Sequence, residues 1–235
     1  MTKRSAHPLR APIFRFLGMV GNALPKRRMP DLILGHSNIL IVNLGLIGDV
    51  LLTTPFIRAI RAILPKAKIH VLVPPWSSSV LSHNPHVDYL HTYKAFWNDP
   101  SHSHSPSLDS FVDTIRIWRQ LRRFRFDLVI NTWFADQPLT AGLLRLFKSA
   151  FIIGFDFPYS SRFYDRAFPF DRNAHIVDNL LELARVVSVD TVTVANLRRN
   201  LEFFLPKMDT LGPTQYESYV GHHADQKFIV ISPFS

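Results

Sequence analysis

Short apolar, β-branched segments alternate with helical patterns along most of this chain, and this alternation limits the fold more than any other feature. The first apolar segment spans 39–44, and similar ones follow at 69–73, 87–91, 126–131 and 151–154. Apolar runs without a polar face are typical of strands buried on both faces of a sheet. Helical patterns separate them at 49–64, 108–124, 138–147 and 174–187. We therefore predict an α/β fold, a parallel sheet with helices on both faces.

Two stretches do not fit a simple alternation of one strand and one helix. Thr54 followed by Pro55 has the form of an N-cap and a first helical residue, so 49–64 is either one kinked helix or a short turn and a second helix. Residues 155–172 contain aromatic residues and prolines without a clear period, and we expect a loop there.

The length and composition bound the number of domains. The chain has 235 residues, of which 47% are hydrophobic, so a sizeable core is available. We predict a folded domain at 38–194, a linker at 195–226 and, from 227, the first strand of a further domain whose remainder is missing. The absence of cysteine excludes disulfides, thiolate zinc sites and thiol nucleophiles.

The basic charge is concentrated in a predicted N-terminal arm at 1–37. Seven Lys and Arg and no acidic residue lie in the first 30 positions, so the rest has 20 basic against 18 acidic residues. A nearly neutral body gives nucleic-acid binding little support. An apolar stretch inside the arm, at 13–20, is too short to span a bilayer. Attraction to an anionic membrane surface and a solvated tail are both open for this arm.

The turn after the first predicted strand contains the most informative residues. Ligands of open parallel sheets bind at the carboxyl ends of the strands. Gly45 and Gly48 permit a tight turn and a close approach to the backbone, and the helix start that follows suits an anion. Asp49 is the carboxylate there, either a helix cap or a general base. The glycine spacing does not match the dinucleotide fingerprint, which disfavours a nicotinamide enzyme.

Several segments together resemble glycosyltransferase family 9, the ADP-heptose:lipopolysaccharide heptosyltransferases. The segments are ILIVNLGLIGDVLLTTPFIRAI, LPKAKIHVLVPP, NPHVDYL, FDLVIN, IIGFD and HIVDNLLELA, in the family's order, and the similarity covers about 39–189 and 228–235. The resemblance implies a Rossmann-like parallel sheet with helices on both faces, the N-terminal lobe of a GT-B glycosyltransferase. In that family the N-terminal lobe binds the acceptor and the C-terminal lobe binds the nucleotide-sugar donor.

By the same resemblance, Asp49 matches the aspartate proposed as catalytic base, and the reaction transfers heptose from ADP-heptose, with inversion, to the lipopolysaccharide inner core (Kdo or heptose). The resemblance implies no metal and no cofactor. It implies a cytoplasmic enzyme with peripheral contact at the inner membrane. The candidate substrate-binding residues are Asn43, Gly45, Gly48, Thr53, Thr54 and Arg162.

The sequence also departs from the family pattern. Asn43 stands where the family often has Arg or Lys, and Asn131-Thr132-Trp133-Phe134 replaces an Asp-x-Gln-Gly-like stretch. Arg162 is either a partner for an acceptor phosphate or carboxylate or a solvated loop residue. For His175, at the start of the last helix, a cap or packing role is favoured over catalysis.

For two further groups of residues, a solvated, non-functional role and a binding role are both considered. The histidines at 102, 104 and 222–223 lack the convergent partners that zinc needs, and we expect them to be solvated. The arginines at 116–125 predict either a solvated helix face or a contact with lipopolysaccharide phosphates.

The sequence leaves three functions to compare. The first is the acceptor-binding half of a heptosyltransferase, and because the donor site is largely missing we expect the 235-residue chain alone not to transfer sugar. The second is a non-catalytic module that binds a saccharide or an anionic lipid headgroup. The third is an unrelated nucleotide-binding Rossmann domain, which would bind ADP or NAD by itself.

Overall fold

The computed structural model describes residues 10–28, 37–95, 97, 108–147, 150–185, 187 and 204. Apart from Phe204, the predicted linker at 195–226 and the predicted strand from 227 lie outside the described residues, as do the histidines at 102, 104 and 222–223. The domain boundaries given above therefore stay predictions.

The core of the fold is one parallel sheet of six strands in the order β3-β2-β1-β4-β5-β6. The strands are β1 (Asn38–Val42), β2 (Lys68–Val73), β3 (Tyr89–Thr92), β4 (Leu128–Asn131), β5 (Phe151–Phe155) and β6 (Arg166–Phe168). The central strand β1 pairs with β2 on one side and β4 on the other, so that Ile41 is in register with Val71 and Ile130. The strand order therefore reverses beside β1, where ligands of such sheets bind.

Helices cover both faces of the sheet, which confirms the predicted fold class. They are α1 (Arg10–Ala23), α2 (Ile47–Leu52), α3 (Thr54–Ile63), α4 (Leu108–Leu121), α5 (Pro138–Leu144) and α6 (Ile176–Arg185), with 3₁₀ helices at Pro75–Val80 and Ser161–Phe163. Alternate β1 residues point to opposite faces: Ile39 and Ile41 pack in the cluster that contains α3 and α6 residues, and Leu40 and Val42 in the cluster that contains α4 and α5 residues. All four are fully buried, so no polar alternation is visible in the sequence.

The structure corrects two predicted boundaries. The pattern at 49–64 is two helices, because α2 ends at Leu52 and α3 begins at Thr54, with Thr53 rather than Thr54 as the N-cap. Residues 155–172 are not one loop, since they contain a 3₁₀ turn and the three-residue edge strand β6. Such a short edge strand is only partly buried and leaves no apolar run for sequence reasoning to detect.

The N-terminal arm includes a helix that packs on the body of the domain. A Cβ at Gly21 would lie 3.0 Å from the Cβ of Arg162, so the two glycines of α1 allow the helix to approach this segment closely. Leu17 and Leu24 pack against the core cluster on the α4 and α5 side of the sheet. Among the described residues, no helix is long and apolar enough to cross a bilayer.

A buried ion pair fixes the end of the arm after α1. The guanidinium of Arg145 contacts the carboxylate of Asp165 at 2.6 Å and also donates to the carbonyl of Pro25. Asp165 accepts the backbone N–H of Arg27 at 2.7 Å, while the side chain of Lys26 donates to carbonyls of the 162–164 segment. The end of the arm is therefore not a solvated tail, because the Arg27 backbone and the Lys26 and Arg27 side chains are hydrogen-bonded to the domain.

Candidate functional site

The side chain of Asn43, directly after β1, organises the turn that follows. Its Oδ1 accepts the backbone N–H of Gly45 at 2.9 Å, and its Nδ2 donates to Oγ1 of Thr53 at 2.7 Å and to the carbonyl of Asp49 at 3.2 Å. Thr53 Oγ1 in turn donates to the Asp49 carbonyl at 2.9 Å. Because Asn43 and Thr53 are buried, they connect both ends of α2 to the strand and hold the turn in one conformation.

Asp49 lies in the first turn of α2 and is half-buried. Its Oδ2 accepts the backbone N–H of Leu46 at 2.8 Å, which is the contact of a helix cap. Its Oδ1 has no hydrogen-bond partner within the described part of the chain. Burial raises the pKa of the carboxyl group above its ordinary value, and the hydrogen bond from Leu46 opposes this shift. One oxygen of Asp49 therefore caps the helix, and the other is available to accept a proton.

The two glycines of the turn have different surroundings. A Cβ at Gly45 would lie 2.7 Å from the Cβ of Asp49 and 2.9 Å from Oδ1 of Asn43. Any larger residue at position 45 would therefore clash with the side chains of Asp49 and Asn43. A Cβ at Gly48 would have no atom within 4 Å. The backbone at Gly48 therefore faces open space next to Asp49, where a ligand can approach it.

The 3₁₀ helix Pro75–Val80, which follows β2, supports the turn from the neighbouring strand. Ser77 is buried, and its hydroxyl donates to the carbonyl of Gly45 at 3.3 Å. Leu46 and Ile47 are more than half exposed at the rim of the turn. Sequence reasoning missed Ser77, because a serine in a Pro-Trp-Ser-Ser-Ser run has no spacing that distinguishes it from a loop residue.

The other polar residues predicted near this edge are used inside the fold. Thr54 is buried, and its hydroxyl donates to the carbonyl of Leu51 at 2.8 Å. Asn131, the last residue of β4, donates to the hydroxyl of Tyr164 at 2.7 Å, and Thr132 donates to the carbonyl of Val42. Burial raises the pKa of Tyr164 to about 12, so its hydroxyl stays neutral. Substrate binding by Asn43, Thr53 and Thr54 stays a prediction, and their burial favours a positioning role.

Arg162 packs beneath α1. Its Nε donates to the carbonyl of Pro158 at 3.0 Å, and its aliphatic carbons face Gly18 and Gly21. These contacts give Arg162 a packing role, and its predicted role in binding an acceptor phosphate is untested.

His175 stands before α6, and its Nδ1 accepts the N–H of Val177 at 3.2 Å, which confirms the cap role. The described residues include no group of three or more His, Asp or Glu side chains placed to hold a metal ion.

A parallel sheet whose order reverses beside β1, with helices on both faces, is a Rossmann-like α/β fold. No protein-family model matches the chain. Two curated proteins do: lipopolysaccharide heptosyltransferase 3 of Escherichia coli is 29% identical over 150 residues, which is 62% of this chain and 41% of that protein. Lipopolysaccharide heptosyltransferase 3 of Escherichia coli strain K12 is 33% identical over 98 residues, or 42% of this chain and 26% of that protein.

Solved structures show the same fold. A glycosyl transferase family 9 protein from Veillonella parvula DSM 2008 matches with a TM-score of 0.63 and 19% identity, over 83% of this chain and 52% of that one. Escherichia coli heptosyltransferase WaaC with ADP matches with a TM-score of 0.54 and 21% identity, over 64% of this chain and 47% of that one. The comparisons confirm the resemblance to family 9 heptosyltransferases. The chain spans about half the length of these structures, and less than half of the curated relatives.

Proposed function

We propose that this chain is the acceptor-binding lobe of an inverting heptosyltransferase that transfers heptose from ADP-heptose to the inner core, Kdo or heptose, of lipopolysaccharide. The observation that supports the proposal most directly is the Asp49 carboxylate, with one oxygen unpaired and a raised pKa beside the open backbone at Gly48. The similarity to heptosyltransferases gives this carboxylate a reaction in which a base is needed.

The proposed reaction has one proton transfer at this lobe. Oδ1 of Asp49 accepts the proton of an acceptor hydroxyl while the hydroxyl oxygen bonds to the anomeric carbon of the heptose. The bond from that carbon to the diphosphate oxygen breaks, and ADP leaves with the electron pair. A raised pKa makes the ionised carboxylate a stronger base than an ordinary aspartate. The proton then passes from Asp49 to water when the product departs.

The support around Asp49 fits this role. The Asn43 amide and the Thr53 hydroxyl hold the Asp49 carbonyl, and the Leu46 N–H holds Oδ2, so the position of Oδ1 is determined by groups that do not touch the substrate. Groups held in this way before the substrate arrives lose little entropy in the transition state.

Ligand binding by the 235-residue chain is the first test. We expect a Kdo-containing inner-core oligosaccharide to bind in calorimetric titrations and ADP-heptose to bind weakly or not at all. Gly48→Leu should weaken oligosaccharide binding by at least ~10-fold, because a side chain there enters the open space beside Asp49. Gly142→Ala, on α5, is the control that leaves binding unchanged. Tight ADP or NAD binding would instead favour the unrelated nucleotide-binding domain.

Turnover is the second test and separates the enzyme from a non-catalytic saccharide-binding module. In a longer polypeptide that joins this lobe to a complete donor-binding lobe, Asp49→Asn should lower kcat by at least ~100-fold. Asparagine keeps an oxygen for the Leu46 N–H, so the cap survives. Asp136→Asn, at another half-buried carboxylate that accepts two backbone N–H groups after β4, should leave kcat within ~3-fold of wild type. Equal turnover in both variants would assign Asp49 to capping alone.

The proposed acceptor is a membrane lipid, so we also propose that the protein works in the cytoplasm at the inner membrane surface. The cationic residues of the arm support this location, because anionic headgroups attract such segments.

A further inference from the structure

The two helical layers of the domain differ in what they expose. Helices α1, α4 and α5 contribute residues to the same core cluster and lie on one face of the sheet, whereas α3 and α6 lie on the other. Eight large apolar side chains of the first layer are exposed: Phe16, Met19, Val20, Leu108, Phe111, Val112, Ile115 and Leu146. Among the described residues, α3 and α6 expose none. We call the outer side of α1 and α4, with Leu146, the apolar–cationic face.

The orientation of α1 explains its part of this face. Gly18 and Gly21 point inward to Arg162 and Phe163, and Leu17 packs against the core on the same side of the helix. Phe16 and Met19 lie on the opposite side of the helix, and each is 66% exposed. A helix that turns small residues inward and large apolar residues outward has a free apolar side that needs a partner.

The charge of the apolar–cationic face is positive. Within α1 and α4, and in the five residues after each, seven arginines are exposed: Arg15, Arg28, Arg116, Arg119, Arg122, Arg123 and Arg125. The acidic residues in these two helices are Asp109 and Asp113, and Asp113 is paired with Arg116 at 2.8 Å. Apolar side chains flanked by arginines match a surface that combines hydrocarbon with negative charge.

We propose that the apolar–cationic face binds the surface of an anionic lipid bilayer, with α1 and α4 lying in the plane of the interface. Phe16, Met19 and Phe111 enter the boundary between headgroups and acyl chains, and the arginines extend to lipid phosphates. The ion pair of Arg145 and Asp165 fastens the arm, so α1 is already folded before it meets lipid. This inference deepens the proposed membrane location, and vesicle binding is measured without donor or acceptor, so its outcome is independent of the role of Asp49.

The experiment is co-sedimentation of the 235-residue protein with phosphatidylcholine vesicles, with and without about 30 mol % phosphatidylglycerol. We expect at least ~10-fold stronger partitioning to the anionic vesicles, reduced at about 0.5 M salt. The double variant Phe16→Ser/Met19→Ser should lower partitioning by at least ~10-fold, because it removes two inserted apolar side chains. Ile47→Ser, at an apolar residue of similar exposure in the turn before Asp49, should change it by less than ~2-fold.

The contribution of charge to vesicle binding is tested by two arginine variants, one on each helical layer. Arg119→Gln on α4 should weaken binding to anionic vesicles by about fivefold, and Arg185→Gln on α6 should not, since the second arginine lies on the opposite layer. Circular dichroism establishes that each variant is folded. Equal partitioning of wild type and the Phe16/Met19 variant would overturn the proposal. So would wild-type protein that stays in the supernatant, or a dimer in light scattering that this variant abolishes, since a second copy would then cover the face.

Discussion

A buried histidine pair should make the folded domain sensitive to mild acid. His70 on β2 and His91 on β3 are joined by a hydrogen bond of 3.0 Å between Nδ1 and Nε2, and the His70 ring stacks on Tyr89 with ring centres 4.3 Å apart. His70 is fully buried, and its Nε2 has no hydrogen-bond partner in the described part of the chain. Burial, and next His91, lower the pKa of His70 to about 4, while burial also lowers the pKa of His91.

The sign of the effect follows from where the proton binds more strongly. The unfolded chain protonates His70 near its ordinary pKa of 6.5, whereas the folded domain protonates it only near 4. The neutral pair therefore contributes full stability above pH 6.5, and this contribution is lost as the pH falls from 6.5 to about 4. At about pH 5 the loss from His70 alone amounts to about 2 kcal/mol of unfolding free energy. The lowered pKa of His91 adds a loss of the same sign.

His70→Phe isolates this term, because phenylalanine fits among Tyr89, Phe124 and Phe126 and cannot be protonated. Urea unfolding followed by tryptophan fluorescence gives the free energy of unfolding at several pH values. Between about pH 7.5 and about pH 5, wild type should lose about 2 kcal/mol more than the variant. His83→Gln, at an exposed histidine, should follow the wild-type curve. Parallel curves for wild type and His70→Phe would refute the assignment.

Three further predictions test the turn and the arm. Gly45→Ala should destabilise the domain by about 1–3 kcal/mol in thermal unfolding, since its Cβ meets Asp49, whereas Gly48→Ala should be neutral or stabilising because nothing lies within 4 Å; equal effects would contradict the described turn. Asp165→Asn should lower the free energy of unfolding by about 3–5 kcal/mol and increase proteolysis after residues 26–28. Asp113→Asn, in an exposed ion pair, should lower it by less than about 0.5 kcal/mol. If residues 26–28 stay protected from proteolysis in Asp165→Asn, this ion pair does not hold the arm on the domain. Asp49→Asn should leave the melting temperature unchanged or raise it, because folding opposes ionisation of this carboxyl group; a marked fall would show that its charge is structural.

Sequence reasoning predicted the sheet well and the polar residues of the turn less completely. Strand β1 was predictable, because Ile39 to Val42 are apolar on both faces and a buried parallel strand needs no other signal. The position of Asp49 at the carboxyl end of that strand was also predictable from the order of segments. The burial of Asn43, Thr53 and Thr54 was not, because the same residue types occur in exposed ligand sites and only their hydrogen bonds distinguish the two cases.

The sequence by itself determined the alternation of strands and helices, since the spacing of apolar residues within each segment indicates which of the two it forms. It also determined the glycine turn with its carboxylate and the excess of cations at the N-terminus. Only the tertiary structure decided that Gly18 and Gly21 turn α1 toward the domain, that Asp165 fastens the arm, and that His70 meets His91 across two strands. These contacts join residues 21 to 144 positions apart, and such pairings depend on the packing of the whole sheet, which no local pattern encodes.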